Sequence, residues 1–142
     1  MRSAERNRCR AIIRDCLNIV EEKGDTYIAI HKDDEMECVV LVSMLRTYPI
    51  LSIVVADKIL FANENAAAMF KAANELNSES ITGWHSIMLS NHESIYMYRQ
   101  CLWINEELST EYLMSMLGTC LQEYRVGRAH ISSAIGLKKT KE

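Results

Sequence analysis

The chain has 142 residues and a formal net charge of −3, with 49% hydrophobic and 25% charged residues. This is enough chain for one globular domain of ordinary composition, which excludes a disordered, collagen-like or low-complexity protein, and the acidic balance argues against nucleic acid as a partner. No apolar run is long enough to span a bilayer, and the opening MRSAERNRCR lacks the apolar core of a secretory signal, so a cytoplasmic protein without a membrane partner is expected.

From Ala4 to Lys23 the pattern is that of an amphipathic helix. Cys9, Ile12, Ile13, Cys16, Leu17 and Val20 recur at spacings of three and four and share one face, and Gly24 suits the left-handed position that ends a helix. The period then shortens. Tyr27 to His31 alternates, Lys32-Asp33-Asp34-Glu35 is a charged turn, and Glu37 to Leu45 carries the run Cys38-Val39-Val40-Leu41-Val42. Two strands joined by a short polar connection form a hairpin. A third strand follows from Ile50 to Ala56, with Pro49 at its start, where a missing donor costs least.

Asn63 to Leu76 is again helical, with Asn63 or Asn65 as cap and a stripe of Ala66, Met69, Phe70, Ala73 and Leu76. Gly83 opens a strand from Trp84 to Leu89. Ser90-Asn91-His92-Glu93 turns the chain, and Ser94 to Ile104 returns it. Tyr96, Tyr98 and Trp103 suit a half-buried pleated surface. Ser109 caps the last helix, Thr110 to about Arg125, which Gly127 either ends or weakens, since Ile131 and Ile135 keep its phase. The charged tail 137–142 is expected to fray.

The order α-β-β-β-α-β-β-α, with short turns between neighbouring strands, predicts a single α+β domain. Its sheet is mainly antiparallel, with helices packed on it. A sheet covered on one face should alternate apolar and polar residues. The runs Cys38 to Val42 and Ile53 to Val55 do not, so both faces of those strands call for burial. Either a helix wraps to the second face or another subunit covers it, and a homodimer is the expectation. The candidate partner surface is Val40, Val42, Ile53, Val55, Met69, Trp84, Met88 and Tyr98.

Little in the sequence carries chemistry. The five cysteines, Cys9, Cys16, Cys38, Cys101 and Cys120, are odd in number and set in apolar contexts, which fits buried free thiols in a reducing compartment. No Cys or His pair has zinc spacing. His31, His85, His92 and His130 are scattered, no G-x-S-x-G elbow occurs, and the isolated glycines form no phosphate cradle. Cys101 beside Leu102 and Trp103 is expected to be buried and inert. The acidic clusters Asp33-Asp34-Glu35 and Glu106-Glu107 fit solvated turns and helix starts. Arg2, Arg6, Arg8, Arg10 and Arg14 fit a solvated helix surface, contact with an acidic partner being the alternative. No catalytic residue, cofactor or metal is assigned. The expectation is a non-enzymatic protein-binding module, and the alternative is a small enzyme with a cryptic Cys–His or carboxylate site.

The segment ANELNSESITGWHSIM (Ala73–Met88), followed by YMYRQCLWI and then ELSTEYLMSML, resembles the YbjN-like family of bacterial sensory-transduction regulators. Asn74, Leu76, Asn77, Gly83 and Arg99 are the matching positions. The resemblance implies the fold of the type III secretion chaperones, the same element order over nearly the whole chain, and a non-enzymatic cytoplasmic homodimer. It also implies an apolar groove for an extended protein or peptide client, which suits strand addition or helix-in-groove recognition. Met69, Met88, Met97, Met114 and Met116 could line an adaptable surface of that kind, although methionine more often fills core.

Overall fold

The computed structural model describes residues 2–58 and 61–136; the tail 137–142 lies outside the described residues. Three α-helices and a seven-stranded antiparallel sheet form one α+β domain. The first helix, α1 (Ser3–Cys16), ends well before the expected Lys23. Leu17 is already extended, and beyond it the apolar stripe continues only with Val20, which is 64% exposed. Ile19–Lys23 instead forms a strand, β1, paired antiparallel with β2 (Thr26–Lys32). Gly24 therefore turns a hairpin instead of ending a helix. It takes φ +57° at the first of two loop residues while Asp25 keeps a negative φ, the pattern of a type II′ turn.

Strands β3 (Glu37–Met44) and β4 (Ile50–Asp57) follow close to their expected bounds, and β5 (Phe61–Ala62) is a short addition that sequence patterning did not reveal. Asn63–Asn65 makes a single 3-10 turn before α2 (Ala66–Glu79), and neither asparagine caps the helix with its side chain. Asn63 instead donates to the Ser90 carbonyl at 2.9 Å and accepts from the Ser94 hydroxyl at 2.8 Å. Strands β6 (Trp84–Leu89) and β7 (Glu93–Trp103) form a hairpin. The last helix, α3 (Thr110–Ala134), is capped by Ser109, whose hydroxyl accepts from the Tyr112 amide at 3.1 Å, and it runs straight through Gly127.

The strands lie in the order β1-β2-β3-β4-β7-β6, with β5 extending the β4 side of β7. All three helices pack on one face. Their buried residues, including Ile13, Met69, Leu113, Leu117, Cys120 and Ile131, join Tyr27, Val42, Leu51, Ile53, Val55 and Tyr98 of the sheet in one core. Each such aliphatic side chain, fully buried, stabilises the fold by roughly 1.5–3 kcal/mol.

The N-terminal arginines fasten α1 to its surroundings. Arg6 and Arg10 both reach the Asp25 carboxylate in the β1–β2 turn, Arg14 holds Glu22 at 2.9 Å, and Arg8 donates to the carbonyls of Leu108 and Asn105 at 2.6 and 2.7 Å. These ties explain why α1 can stop at Cys16: the hairpin that follows folds back against the helix.

Candidate functional site

Two regions of the molecule concentrate unusual residues: a buried polar cluster under α3, and the sheet face that carries no helix.

The buried cluster centres on Asp57, the last residue of β4, whose side chain is fully buried. It accepts from the Tyr124 hydroxyl, from Arg128 Nε at 2.9 Å and from the Tyr96 amide at 3.2 Å. Burial pushes its carboxyl above the ordinary range, against the opposing pull of these donors. Next to it, His85 Nδ1 and the Tyr96 hydroxyl share a bond of 2.7 Å, and Tyr96 stacks on Tyr124 with ring centroids 5.4 Å apart. Burial drives the His85 pKa down, so its imidazole is held neutral. Each of these contacts joins the sheet to a helix or to a neighbouring strand, so the cluster seats α3 on the sheet.

The thiols behave as core atoms. Burial pushes Cys9 and Cys38 up to about 11 and Cys120 up to about 12. Cys101 departs from expectation, because it is exposed. It lies opposite Ser52 on the helix-free face, whereas His85 lies opposite Tyr98 on the helix side. The two cannot meet across the sheet, so a Cys101–His85 site has no geometry here. Asp33 is a turn residue, as expected. Its carboxylate accepts from the amides of Glu35 and Met36 and binds His31 and Arg125, each at 2.9 Å, and the His31 contact is the largest of the effects holding its pKa well below the carboxylate range. Among the described residues no group of three or more His, Cys, Asp or Glu could hold a metal ion. A surface depression of about 650 Å³ lies between α1 and the β7–α3 connection, where the Arg8 guanidinium is already engaged with backbone carbonyls.

The candidate partner residues divide sharply. Val40, Val42, Ile53, Val55, Met69 and Tyr98 are buried in the central core and cannot face a partner. The five strand residues among them have the parity of Tyr27 and Ala29, which points under the helices, and Met69 lies on α2 itself. The opposite parity, Val39, Leu41, Val54, Ala56, Ile95 and Met97, faces away. Val54, Ala56 and Met97 pack there with Leu41 and Ile95 in a second apolar cluster that includes no helix residue. Trp84, 43% exposed, and Met88, 53% exposed, are the two expected residues that do lie on this outer face. Ile30 and Trp103 extend it, and Arg99 stands near its β6 edge with its guanidinium 5.9 Å from the Trp84 ring. No helix of the described residues is long and apolar enough to cross a membrane.

Two positions of the YbjN-like segment now have physical roles. Both ends of the Asn77 amide bind the His85 backbone, donating to its carbonyl at 2.8 Å and accepting from its N–H at 2.6 Å. This seals the outer edge of β6 at that point. A Cβ at Gly83 would press on the Arg99 carbonyl and the Tyr98 hydroxyl, so only glycine fits.

No protein-family model matches the chain, and no curated protein matches its sequence. Solved structures do match its fold. The crystal structure described as "YbjN, a putative transcription regulator from E. coli" superposes with a TM-score of 0.58 at 11% identity, covering 91% of this chain and 87% of that one. An uncharacterised protein from Methanothermobacter thermautotrophicus superposes with a TM-score of 0.56 at 12% identity, covering 93% and 99%. At such identities the likeness is one of fold, and by that measure the chain shares the α+β fold of YbjN.

Proposed function

We propose that this protein is a non-enzymatic, cytoplasmic regulatory module that binds protein through the helix-free face of its sheet, and that it works as a homodimer. One observation carries the reading. The outer face holds an apolar cluster on the central strands, with Val54, Ala56 and Met97 at most 9% exposed, bordered by the exposed Trp84, Met88 and Trp103, and no described helix contributes to it. Monomeric proteins seldom leave such a face in water. The description of YbjN as a regulator supports the same class of role. A chaperone-like role would add an apolar client segment at the rim of this surface. Sedimentation equilibrium at micromolar concentration tests the dimer. The wild-type chain should sediment at twice 16.3 kDa, and Leu41→Asp, which puts a charge in the middle of the face, should return it to a single chain. A wild-type species of one chain would overturn the reading.

A further inference from the structure

The outer face is ordered across its width, and one row of it is its own complement. Cross-strand register aligns Glu21 of β1, Ile28 of β2, Leu41 of β3, Val54 of β4 and Arg99 of β7. The row is acidic at one end, apolar through its middle and basic at the other end. Four strand spacings of about 4.8 Å separate Glu21 from Arg99 by about 19 Å, so the two cannot pair within one chain. Arg99 has the Trp84 ring beside it but no carboxylate partner among the described residues, and the half-exposed Glu21 reaches only Lys23, at 3.6 Å.

We propose that two copies stack sheet on sheet about a twofold axis running along β3, each Glu21 pairing with the partner's Arg99. This rests on the dimer reading above and specifies its geometry. A twofold along the central strand of the row reverses the strand order of the facing copy. Leu41 then meets its own counterpart, Ile28 meets the partner's Val54, and the charged ends meet with opposite sign. Sheets facing each other about 10 Å apart interdigitate side chains in this way. Two neighbouring rows agree. Toward one end, Thr26 and Ser43 share a row with Ser52, so hydroxyls oppose hydroxyls; toward the other, the large Ile30 opposes the partner's small Ala56. At the strand ends Glu37 faces its own copy, each already held by Lys58 at 2.9 Å. The five strands that overlap about this axis, about 4.8 Å apart and about 23 Å long, give on the order of 550 Å² in projection. With side-chain relief added, this approaches the ~800 Å² per partner of a stable interface. A client peptide, by contrast, would need no charge of opposite sign on the far edge of the same row.

The test is a charge reversal read by sedimentation equilibrium at low salt, with circular dichroism to confirm that the exposed substitutions leave the fold intact. By symmetry each single variant creates two like-charge contacts, so Glu21→Arg and Arg99→Glu should each weaken the dimer at least tenfold. The double variant should return the dissociation constant to within about threefold of wild type. Single variants with unchanged affinity, or a double variant no better than either single one, would overturn the twofold while a Leu41→Asp-sensitive dimer remained standing. A monomeric wild type would overturn both readings.

Discussion

Gly118 and Gly127 lie in the same helix and answer to opposite constraints. A Cβ at Gly118 would meet nothing within 4 Å. Alanine there only removes the entropic penalty of glycine and should stabilise the protein by about 0.5–1 kcal/mol. A Cβ at Gly127 would overlap the Tyr96 hydroxyl and come within 2.8 Å of His85 Nδ1. Alanine there must shift α3 or break the His85–Tyr96 bond, and should cost roughly 1–3 kcal/mol. Urea unfolding of the two variants should move in opposite directions; equal midpoints would show that α3 is not seated on that hydroxyl. The same pair sets a pH dependence. Burial lowers the His85 pKa in the folded chain, so the unfolded chain, with an ordinary value of about 6.5, binds its proton first. Stability from this group is fully present above about pH 6.5 and is lost as pH falls through the lower folded value. The loss is at most about 1.4 kcal/mol for each pH unit over which only the unfolded chain is charged. Between pH 7.5 and 5.5, His85→Gln should lose less stability than wild type in urea titrations. Parallel losses would assign the slope to other groups.

The β6 edge shows what an element needs beyond its own residues. Asn77 supplies β6 with a donor and an acceptor in place of a further strand. Asn77→Ala leaves the His85 N–H and carbonyl unpaired at a half-buried site, which should cost about 1–3 kcal/mol. It should also speed hydrogen exchange at the His85 amide; unchanged protection there would mean that the edge is sealed by something else. The composition of Trp84–Leu89 could reveal the strand but not its lateral partner, which comes from a helix earlier in the chain. The same limit explains the other departures from expectation. Patterning found α1, the strands β2, β3 and β4, α2, the β6–β7 hairpin and α3, because their periods are long and regular. It missed β1 because Gly24 fits either a helix end or a hairpin turn, and only the ties of Arg6 and Arg10 to Asp25 decide between them. It gave the candidate partner surface the parity of the core because Val39, Val40, Leu41 and Val42 are all apolar, and a one-residue slip exchanges the faces. The parity was nonetheless written in the polar residues. Lys32 and Glu37 pair with each other at the ends of the outer rows, and Arg99 lies on the same face, whereas Tyr98 and Gln100 point inward. Asp57 gave no such signal, since its partners Tyr124 and Arg128 come from α3, far along the chain.

At the scale of the whole molecule, the two faces of the sheet divide the work. The helix side carries the main core and a buried polar cluster that fixes α3, and so supplies the stability of the single chain. In the proposed dimer a second copy covers the apolar cluster of the outer side and its exposed border, so part of the protein's stability should depend on concentration. For unfolding coupled to dissociation, a tenfold rise in chain concentration adds about 1.4 kcal/mol per dimer. Set against an unfolding entropy of about 2.1 cal/mol/K per residue in two chains, this should raise the Tm by about 2 °C. Calorimetry of the wild type at 5 and 50 μM should show that rise, and Leu41→Asp should show none. Its chain unfolds alone, and it loses the packing of Leu41 on Val54, Ala56 and Met97 as well as what the second copy contributed. If wild type and variant shared one concentration-independent Tm, the outer face would contribute nothing to stability in solution. The burial that the single chain already gives Val54, Ala56 and Met97, each at most 9% exposed, would then be all that the cluster needs.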